Sequence, residues 1–588
     1  MCRKLIAMVI GCSLLAGCSF TWDTQPKKPD VEKGFVDAKL QGLTDSAAYH
    51  DTVAEQGWIE GLRFMRVRGY GLVAGLGDRG SSECPEQIRD RLVQEMYKRT
   101  EFTGPGLKPA RITPEQIIDD ADTAVVLVEG QIPAAAQTGD TFDVTVRALP
   151  GTQTVSLEGG RLYTADLHIF REVGSGSVIE GQTLATADGA IFINPFDKAD
   201  DERIQLSARE GMVIGGGKVS TPRRLRFVLT RPSFQRVRHI SNKINARFPE
   251  LRKVAEATTP SYIELRVPAE FADDPFHFLA LVRHLYLPER PGFLEDRTRK
   301  LADEIVDPDA PHPDIALAWE GIGRTVLPTV QKLYTDSHEH ARFYAAVTGL
   351  RLGDDVAVEV LSAAAHDEAS AYRLTAIEEL GRARKSFRAA GELRELLNDS
   401  DPRIRVEAYE ALLARGDVTI RSEPVGENNF TLDQVPSAAG NLIYVRRTGA
   451  QRMVLFGTAL TCPAPVYYRD PSDMITISAQ AGDEQLTLVR RTNFGHRQSP
   501  PLAGPTDLPE LIHMLGDDPV ATSDTDVHGL ALGYSTITRT VADLSSGGFI
   551  NADFMLQTAS VEEMFGPLKP GGRPESEPIS LSRAESGP

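Results

Sequence analysis

The stretch Arg68-Gly69-Tyr70-Gly71-Leu72-Val73-Ala74-Gly75-Leu76 opens a region in which short apolar runs alternate with glycine-containing turns. Over residues 58–290 these runs are rich in β-branched residues and bounded by Gly or Pro, which is typical of strands. The clearest runs are Ala124–Val128, Phe142–Val146 and Leu225–Leu229. Two other segments, Pro85–Arg99 and Phe234–Phe248, repeat apolar residues with helical spacing. The region is therefore predicted to be α+β and strand-rich.

Residues 338–417 carry an internal repeat with spacings of 31 and 32 residues. In each unit an arginine precedes an alanine by three residues, and a leucine and a glycine follow. These positions are Arg342, Ala345, Leu350 and Gly353, then Arg373, Ala376, Leu380 and Gly381, then Arg405, Ala408, Leu413 and Gly416. The pattern resembles HEAT-type helical repeats, which must stack because one unit cannot bury its apolar face alone. The sequence leaves two roles open for the stack, a protein-binding or inter-subunit surface and a structural spacer.

The other segments complete the predicted organisation. We expect residues 291–337 to be a connecting segment, residues 425–520 to be β-rich and residues 521–565 to be helical. Residues 566–588 contain several Pro and Gly and few apolar residues, so we expect a disordered tail. The chain is thus predicted to be a strand-rich, multi-domain α+β protein with an inserted α-helical, HEAT-like repeat module.

The amino-terminal residues are typical of an export signal. A basic pair precedes Leu5–Leu15, which is mostly apolar and shorter than the roughly 20 residues that span a bilayer. Leu15-Ala16-Gly17-Cys18 follows and resembles a bacterial lipobox. We therefore predict a lipoprotein signal peptide over residues 1–17 and lipidation at Cys18. The alternative is an ordinary cleaved signal with a chance cysteine.

The lipid anchor has consequences for localisation. Ser19, rather than Asp, follows the modified cysteine, which favours the outer membrane. Residues 18–57 are polar at first and are predicted to form a flexible tether. We expect the folded body to lie in the periplasm, anchored to the inner face of the outer membrane.

Net charge narrows the range of partners. The sequence has 64 Lys and Arg and 82 Asp and Glu, so the formal charge is 64 − 82 = −18. Nucleic acid requires the opposite sign, so a nucleic-acid partner is excluded. The same charge argues against peripheral binding to anionic lipid, which leaves the acyl anchor as the membrane link.

Cysteine usage also fits an exported protein. Cys2 and Cys12 leave with the signal peptide and Cys18 is modified. Only Cys84 and Cys462 remain, and an oxidising compartment allows them to form a disulfide. Two unrelated thiols are the alternative.

The strand-rich region resembles the flagellar basal-body P-ring protein family. Several segments carry the resemblance in order: residues 68–76, 124–140, 143–146, 156–162, 211–219 and 232–248. Each segment alone is a weak match, but their order over about 190 residues makes a specific one. The resemblance implies that Gly69, Tyr70, Gly71 and Gly75 are the turn residues of the family's opening motif.

The resemblance resumes near the carboxyl end, at residues 445–457, at Pro465-Val466 and faintly at residues 538–556. Residues 425–520 would then be the carboxyl-terminal part of the ring domain, interrupted by an insertion near residues 290–425. A Cys84–Cys462 disulfide would join the two parts.

The resemblance implies a structural subunit rather than an enzyme. Such proteins self-associate into a periplasmic ring that acts as a bushing around the flagellar rod, alongside the outer-membrane L-ring, and motility depends on them. The lipid anchor and the insertion depart from the family pattern. Two alternatives remain: a non-flagellar outer-membrane lipoprotein that reuses the fold as a scaffold or protein-binding module, and an enzyme acting on envelope polymer.

Four other motifs resemble binding or catalytic sites, but their context does not support such a role. Gly75–Gly80 matches the dinucleotide fingerprint G-x-G-x-x-G, but no clear βαβ unit follows it. Gly215-Gly216-Gly217-Lys218 is interpreted as a tight turn between strands, and Asp273-Asp274 as solvated surface. His338 and His340 point to different helix faces, which is poor ligand geometry for zinc. We therefore predict no catalytic residues, cofactor or metal.

Replacing Cys18 with Ser should abolish incorporation of radiolabelled palmitate and release the protein from the outer-membrane fraction. The physical reason is that dual acylation gives a stable anchor, whereas the acidic body has no affinity for anionic lipid. Cys12→Ser is the matched control and should leave labelling unchanged. Continued labelling of the Cys18 variant would refute the assignment.

Overall fold

The computed structural model describes residues 46–100, 113–173, 177–194, 208–427, 429–471, 473–491, 498–521 and 527–557. The signal peptide at residues 1–17, the lipidation site Cys18 and the tail at residues 566–588 lie outside these ranges. The mixed α+β class predicted from the sequence is confirmed.

Six antiparallel strands close into a barrel in the order β2-β3-β4-β7-β6-β5. After the short β1 (Gly57–Glu60), the barrel strands are β2 (Met65–Ala74), β3 (Ala124–Ile132), β4 (Thr141–Ala148), β5 (Arg161–Val173), β6 (Ser177–Ala190) and β7 (Glu210–Val219). Side chains alternate across each strand, so Phe142, Val144 and Val146 of β4 are buried between more exposed residues. The core consists mostly of Val, Ile and Ala side chains, whose size suits a narrow barrel.

Two helices follow β2 and lie between it and β3. They are α1 (Glu86–Thr100) and α2 (Pro114–Ile118). Leu92 and Ile118 are buried against Leu72 and Val125 on the outer side of the barrel strands. Thr113 and Gln116 form a capping box that starts α2.

A second sheet, in the order β1-β8-β10-β9, is covered by helices. Its later elements are β8 (Leu225–Leu229), α3 (Phe234–Arg247), β9 (Ala255–Glu256), β10 (Tyr262–Leu265) and α4 (Pro275–His284). The apolar residues that predicted α3 from their spacing, Val237, Ile240 and Ile244, are all at most 1% exposed. They pack on the sheet, as the 3.6-residue period requires.

Residues 46–57 are part of this body and not of the predicted tether. Val53 is fully buried and its N–H donates to the Leu285 carbonyl at 3.0 Å. Thr52 forms a β-bridge with Tyr286, and the Tyr49 ring lies 5.6 Å from the His284 ring. The tether prediction was therefore wrong at its carboxyl end, because these apolar residues have a surface to pack against.

Residues 291–337 were expected to connect domains, but they form helices with their own buried residues. These are α5 (Phe293–Glu304), α6 (His312–Ile322) and the single turn α7 (Leu327–Val330). Trp319 in α6 is fully buried and donates its indole N–H to the Thr298 carbonyl at 3.4 Å.

The repeat region forms five helices. They are α8 (Glu339–Arg351), α9 (Ala357–His366), α10 (Arg373–Arg382), α11 (Phe387–Leu396) and α12 (Pro402–Arg415). The repeat alanines Ala345, Ala376 and Ala408 are all fully buried, as close helix packing requires.

The carboxyl-terminal region forms sheets of its own. A five-stranded sheet is built from β11 (Arg421–Val425), β12 (Phe430–Val435), β13 (Leu442–Val445), β14 (Arg452–Phe456) and β21 (Asp553–Leu556). A four-stranded sheet contains β15 (Val466–Arg469), β16 (Ile475–Ala479), β17 (Leu486–Arg490) and β18 (Leu502–Gly504). Helices α13 (Leu508–Gly516) and α14 (Tyr534–Ser546) and the short pair β19 (Val520–Ala521) and β20 (Val527–His528) complete it.

None of these strands enters the barrel, so the hypothesis of one interrupted domain does not hold as strand pairing. The two regions instead share side-chain packing, since Phe192 and Ile214 belong to the carboxyl-terminal core. Among the described helices, none is both long and apolar enough to cross a membrane.

Replacing Gly69 with Ala should lower the free energy of unfolding by about 1–3 kcal/mol, because the added methyl group overpacks the barrel wall. A Cβ at this position would lie 2.1 Å from the Asp166 carbonyl oxygen, and backbone cannot move aside as a side chain can. Urea unfolding followed by circular dichroism would measure the loss.

Gly391→Ala in α11 is the control, because no heavy atom lies within 4 Å of its built Cβ. Alanine is the better helix former there, so stability should rise by up to about 1 kcal/mol. Equal effects of the two substitutions would contradict the barrel packing described here.

Candidate functional site

The glycines of the opening motif lie in a strand, except for the last. Gly69, Tyr70 and Gly71 are inside β2, and only Gly75, with φ +82°, forms a turn. The predicted turn was therefore wrong for the first three residues. Gly71 is required by packing, since a Cβ would lie 2.8 Å from Leu162 and 3.1 Å from Ala165 of β5.

The G-x-G-x-x-G loop is occupied by the protein's own carboxylate. The N–H of Gly77 donates to Asp122 at 2.6 Å, and the N–H of Gly75 donates to the same carboxylate at 3.4 Å. Gly80 is packed so closely that a Cβ would lie 2.3 Å from the Thr123 carbonyl oxygen. These N–H groups hold the loop closed, where a dinucleotide site would offer them to phosphate.

The second glycine-rich motif is a bulge inside β7 and not the predicted turn between strands. The pairing of β4 with β7 shifts register there, and Gly215 has φ +64°. The N–H of Gly215 donates to Asp143 at 2.5 Å, and Gly449 donates to the same carboxylate at 3.2 Å. A Cβ on Gly215 would lie 2.3 Å from the Gly449 carbonyl oxygen. Asp143 thus fastens the carboxyl-terminal region to the barrel.

The Asp143 carboxylate is buried, and burial changes its pKa. It raises the pKa of the Asp143 carboxyl above its ordinary value, although the N–H donors of Gly215 and Gly449 act in the opposite direction. Arg539 adds a second link between the regions through its ion pair with Glu158 at 3.0 Å.

Cys84 and Cys462 are both free thiols, so the disulfide considered from the sequence is not present in this structure. They belong to different hydrophobic clusters: Cys84 packs beside Leu92, and Cys462 is in the carboxyl-terminal core. Burial raises the pKa of both thiols, that of Cys462 to about 11.

The acidic pair Asp273-Asp274 contacts the helical repeats and is not simply solvated surface. Asp274 caps α4 by accepting from the His277 N–H and lies 3.4 Å from Arg382. Asp273 pairs with Arg384 at 2.7 Å.

A buried charge cluster lies behind this contact and joins α4, α6, α8 and α10. Arg351 binds Glu379 at 2.8 Å through Nε and at 2.5 Å through a terminal nitrogen, and it lies 3.4 Å from Glu320. His277 lies 2.9 Å from Glu320 on the other side. The side chains of Glu379 and Glu320 are only 3% and 7% exposed, so their negative charges need cationic partners. Arg351 is shared by both carboxylates, and Arg382 also lies 2.7 Å from Glu379. Burial raises the pKa of Glu379, but Arg351 and Arg382 outweigh it and hold this pKa below the ordinary value.

The other end of the repeats is attached to the five-stranded sheet. Tyr409 of α12 donates to Asp433 at 2.5 Å, and Arg452 binds the same fully buried carboxylate at 2.6 Å. Nearby, Glu410 accepts from Tyr444 at 3.3 Å and pairs with Arg446 at 3.1 Å. The module is therefore attached at both ends through buried charged groups.

The periodic arginines bind backbone. Arg342 donates to the Asp336 carbonyl at 2.7 Å, Arg373 to Ala365 at 2.9 Å and Arg405 to Gly440 at 2.8 Å. The glycines that follow are not equivalent. Gly353 and Gly416 have positive φ values, whereas Gly381 is helical and its Cβ would lie 2.7 Å from that of Ala411.

The histidines singled out in the repeats are held by backbone or a near neighbour. His340 contacts the Val306 carbonyl at 3.0 Å, and His338 lies 2.9 Å from Asp336. A polar groove of about 480 Å³ lies between the repeat loops. Its lining residues include no histidine or cysteine, and they are Glu368, Ser370, Ala371, Arg373, Leu374, Ser400, Asp401, Arg403 and Ile404.

The amino-terminal body and the repeats match two families. Residues 53–291 match the flagellar P-ring protein family, and residues 358–422 match HEAT repeats, so both resemblances expected from the sequence are confirmed.

Curated relatives carry the same description. Flagellar P-ring protein of Rhodopseudomonas palustris (strain BisB5) is 28% identical over 259 residues, which is 42% of this chain and 62% of the relative. Flagellar P-ring protein 1 of Bradyrhizobium diazoefficiens is 27% identical over 253 residues, 41% of this chain and 61% of the relative. The protein of Pseudothermotoga lettingae is 27% identical, with 38% and 63% covered. The chain thus spans about three fifths of the length of these relatives.

Arg351→Ala should lower the free energy of unfolding by about 3–5 kcal/mol at pH 7, because it leaves two buried carboxylates without their shared cation. The deficit relative to the wild type should shrink between pH 7 and pH 5. Without Arg351, only Arg382 opposes the effect of burial on Glu379. The pKa of Glu379 should therefore rise, and a carboxyl whose folded-state pKa is raised gains stability as pH falls. The wild type, in which the pKa of Glu379 is lowered, should lose its contribution only at more acidic pH.

Arg388→Ala is the matched control, since the Arg388–Glu359 pair is 49% and 75% exposed. Its removal should cost at most about 1 kcal/mol, with little pH dependence. Chemical unfolding at pH 7 and pH 5 would measure the free energy of unfolding of the wild type and of both variants. A stability deficit of Arg351→Ala that does not change with pH would contradict the assignment of the loss to unpaired buried carboxylates.

Proposed function

We propose that this protein is a structural subunit of a periplasmic ring of the flagellar P-ring type, which acts as a bushing around the flagellar rod and is needed for motility. The observation that carries the proposal is the match of residues 53–291 to the P-ring family. These residues include the whole barrel and most of the helix-covered sheet that packs beside it. The proposed partners are further copies of this chain, the rod and the L-ring proteins.

The charged groups described above support mechanical work rather than catalysis. Asp143 binds a donor 306 residues away in the chain, and Glu379 and Asp433 each bind donors on other helices or strands. A bushing must keep its shape under load from a rotating rod, and buried, paired charges resist relative movement because separating them exposes an uncompensated charge.

The lipid anchor and the helical module would add two properties to this ring subunit, a fixed position at the membrane and a binding surface. Lipidation at Cys18 would hold the ring at the inner face of the outer membrane. The module is attached to α4 and α6 at one end and to the five-stranded sheet at the other. It would therefore present a fixed surface to a neighbouring subunit or envelope protein, as stacked repeats commonly do.

A second candidate function is a non-flagellar outer-membrane scaffold that reuses the barrel. The match of residues 358–422 to HEAT repeats favours it, because such repeats commonly bind proteins. The two functions predict different effects of deleting the gene.

The decisive experiment is electron microscopy of basal bodies from the wild type and from a strain that lacks this gene, with swimming scored in soft agar. The ring hypothesis predicts loss of the periplasmic ring and of swimming, with both restored by a plasmid copy. A plasmid copy carrying Cys18→Ser separates the anchor from the ring, since it should assemble less efficiently but still be exported. Intact rings and normal swimming in the deletion strain would exclude the ring role and favour the scaffold.

A further inference from the structure

Two helices of the repeat module bring three metal-ligand side chains together. His366 is the last residue of α9, and Glu392 and Glu395 lie on α11. One ligand atom of each lies within 4.8 Å of the others. Glu392 and Glu395 are three residues apart, so they share one face of their helix.

The histidine is oriented by its own helix. Its Nδ1 lies 2.9 Å from the Ser362 carbonyl oxygen, and a carbonyl only accepts, so Nδ1 carries the proton. The neutral ring then keeps the lone pair on Nε2, and a carbonyl in this position is what commonly orients a metal-binding histidine. The Ser362 hydroxyl in turn donates to Glu392 and orients that carboxylate.

The two carboxylates have no cationic partner among the described Lys and Arg residues, although arginines are frequent in this module. Arg394, on the same helix, is engaged by Asp417 at 2.7 Å, and Arg388 by Glu359 at 3.3 Å. The cluster therefore combines two uncompensated negative charges with an oriented imidazole.

We propose that His366, Glu392 and Glu395 bind a divalent transition-metal cation of the zinc type. One nitrogen and two carboxylate oxygens form a ligand set that Zn²⁺ accepts, with water completing the coordination. Mg²⁺ and Ca²⁺ prefer oxygen ligands alone, so the imidazole selects against them. Donors about 2.0–2.1 Å from zinc lie closer together than the present side chains. His366 and Glu395 are exposed, and binding would require the two glutamate side chains to move toward the imidazole.

The metal would join helices that are not consecutive in the chain. The link between α9 and α11 crosses from one repeat to the next, so bound metal should stiffen the stack. This inference does not depend on the proposed ring function.

The test is calorimetric titration of ZnCl2 into the purified, mature full-length protein after removal of metals with EDTA. One zinc ion should bind per chain, and thermal unfolding should shift to higher temperature because the ion binds only the folded arrangement. His366→Gln and Glu395→Gln should each weaken zinc binding at least tenfold and remove the thermal shift. A large excess of MgCl2 should not displace the zinc.

His338→Asn is the matched control, since His338 has Asp336 beside it and its ring lies 5.7 Å from that of His340. This variant should bind zinc as the wild type does, and circular dichroism should show that all variants are folded. Equal binding by the wild type and the His366 and Glu395 variants would overturn the proposal and indicate an adventitious ion only. Loss of binding in His338→Asn, or displacement by Mg²⁺, would overturn it as well.

Discussion

The fold depends on how a short stack of helices is terminated. Five repeat helices cannot bury their end faces against each other, and a stack this short needs a cap at each end. Here the caps are other parts of the same chain, and each junction is built around a buried carboxylate that an arginine neutralises, Glu379 with Arg351 and Asp433 with Arg452. Apolar contacts accompany them, as where the ring of Tyr409 lies 5.8 Å from that of Phe456. The apolar contacts supply most of the stability of such junctions, while the buried charges favour one arrangement, because sliding the module would separate Arg351 from Glu320 and Glu410 from Arg446.

Periodic features could be predicted from the sequence. The spacing of Val237, Ile240 and Ile244 indicates the helix α3 and its buried face, and the repeat alanines indicate the packed helices of the module. The contacts that assemble these elements could not be predicted, because they join residues without any periodic relation. Gly449 lies 306 residues from Asp143, and nothing in either local sequence indicates the other. The candidate metal cluster is similar, since only helix packing brings His366 of one helix to Glu392 and Glu395 of another.

Glycine was the residue type whose role the sequence indicated least well. Conformational freedom explains Gly75 and Gly215, which have positive φ values. Gly69, Gly71 and Gly381 are glycine for another reason, since a neighbouring strand or helix occupies the space of their missing Cβ. Only a three-dimensional arrangement distinguishes the two causes, which is why three residues of the opening motif were placed in a turn and lie in a strand.

The strands of the barrel all come from residues 65–219. The five-stranded sheet, in contrast, includes Asp553–Leu556, the last described strand, which pairs with β13 in parallel. An exported chain emerges from the translocation channel amino terminus first. In the proposed export of this chain, the barrel can close while later residues are still in the channel, and the five-stranded sheet can be completed only after Asp553–Leu556 has emerged. Late emergence of this edge strand would therefore make the five-stranded sheet complete its pairing after the barrel has closed.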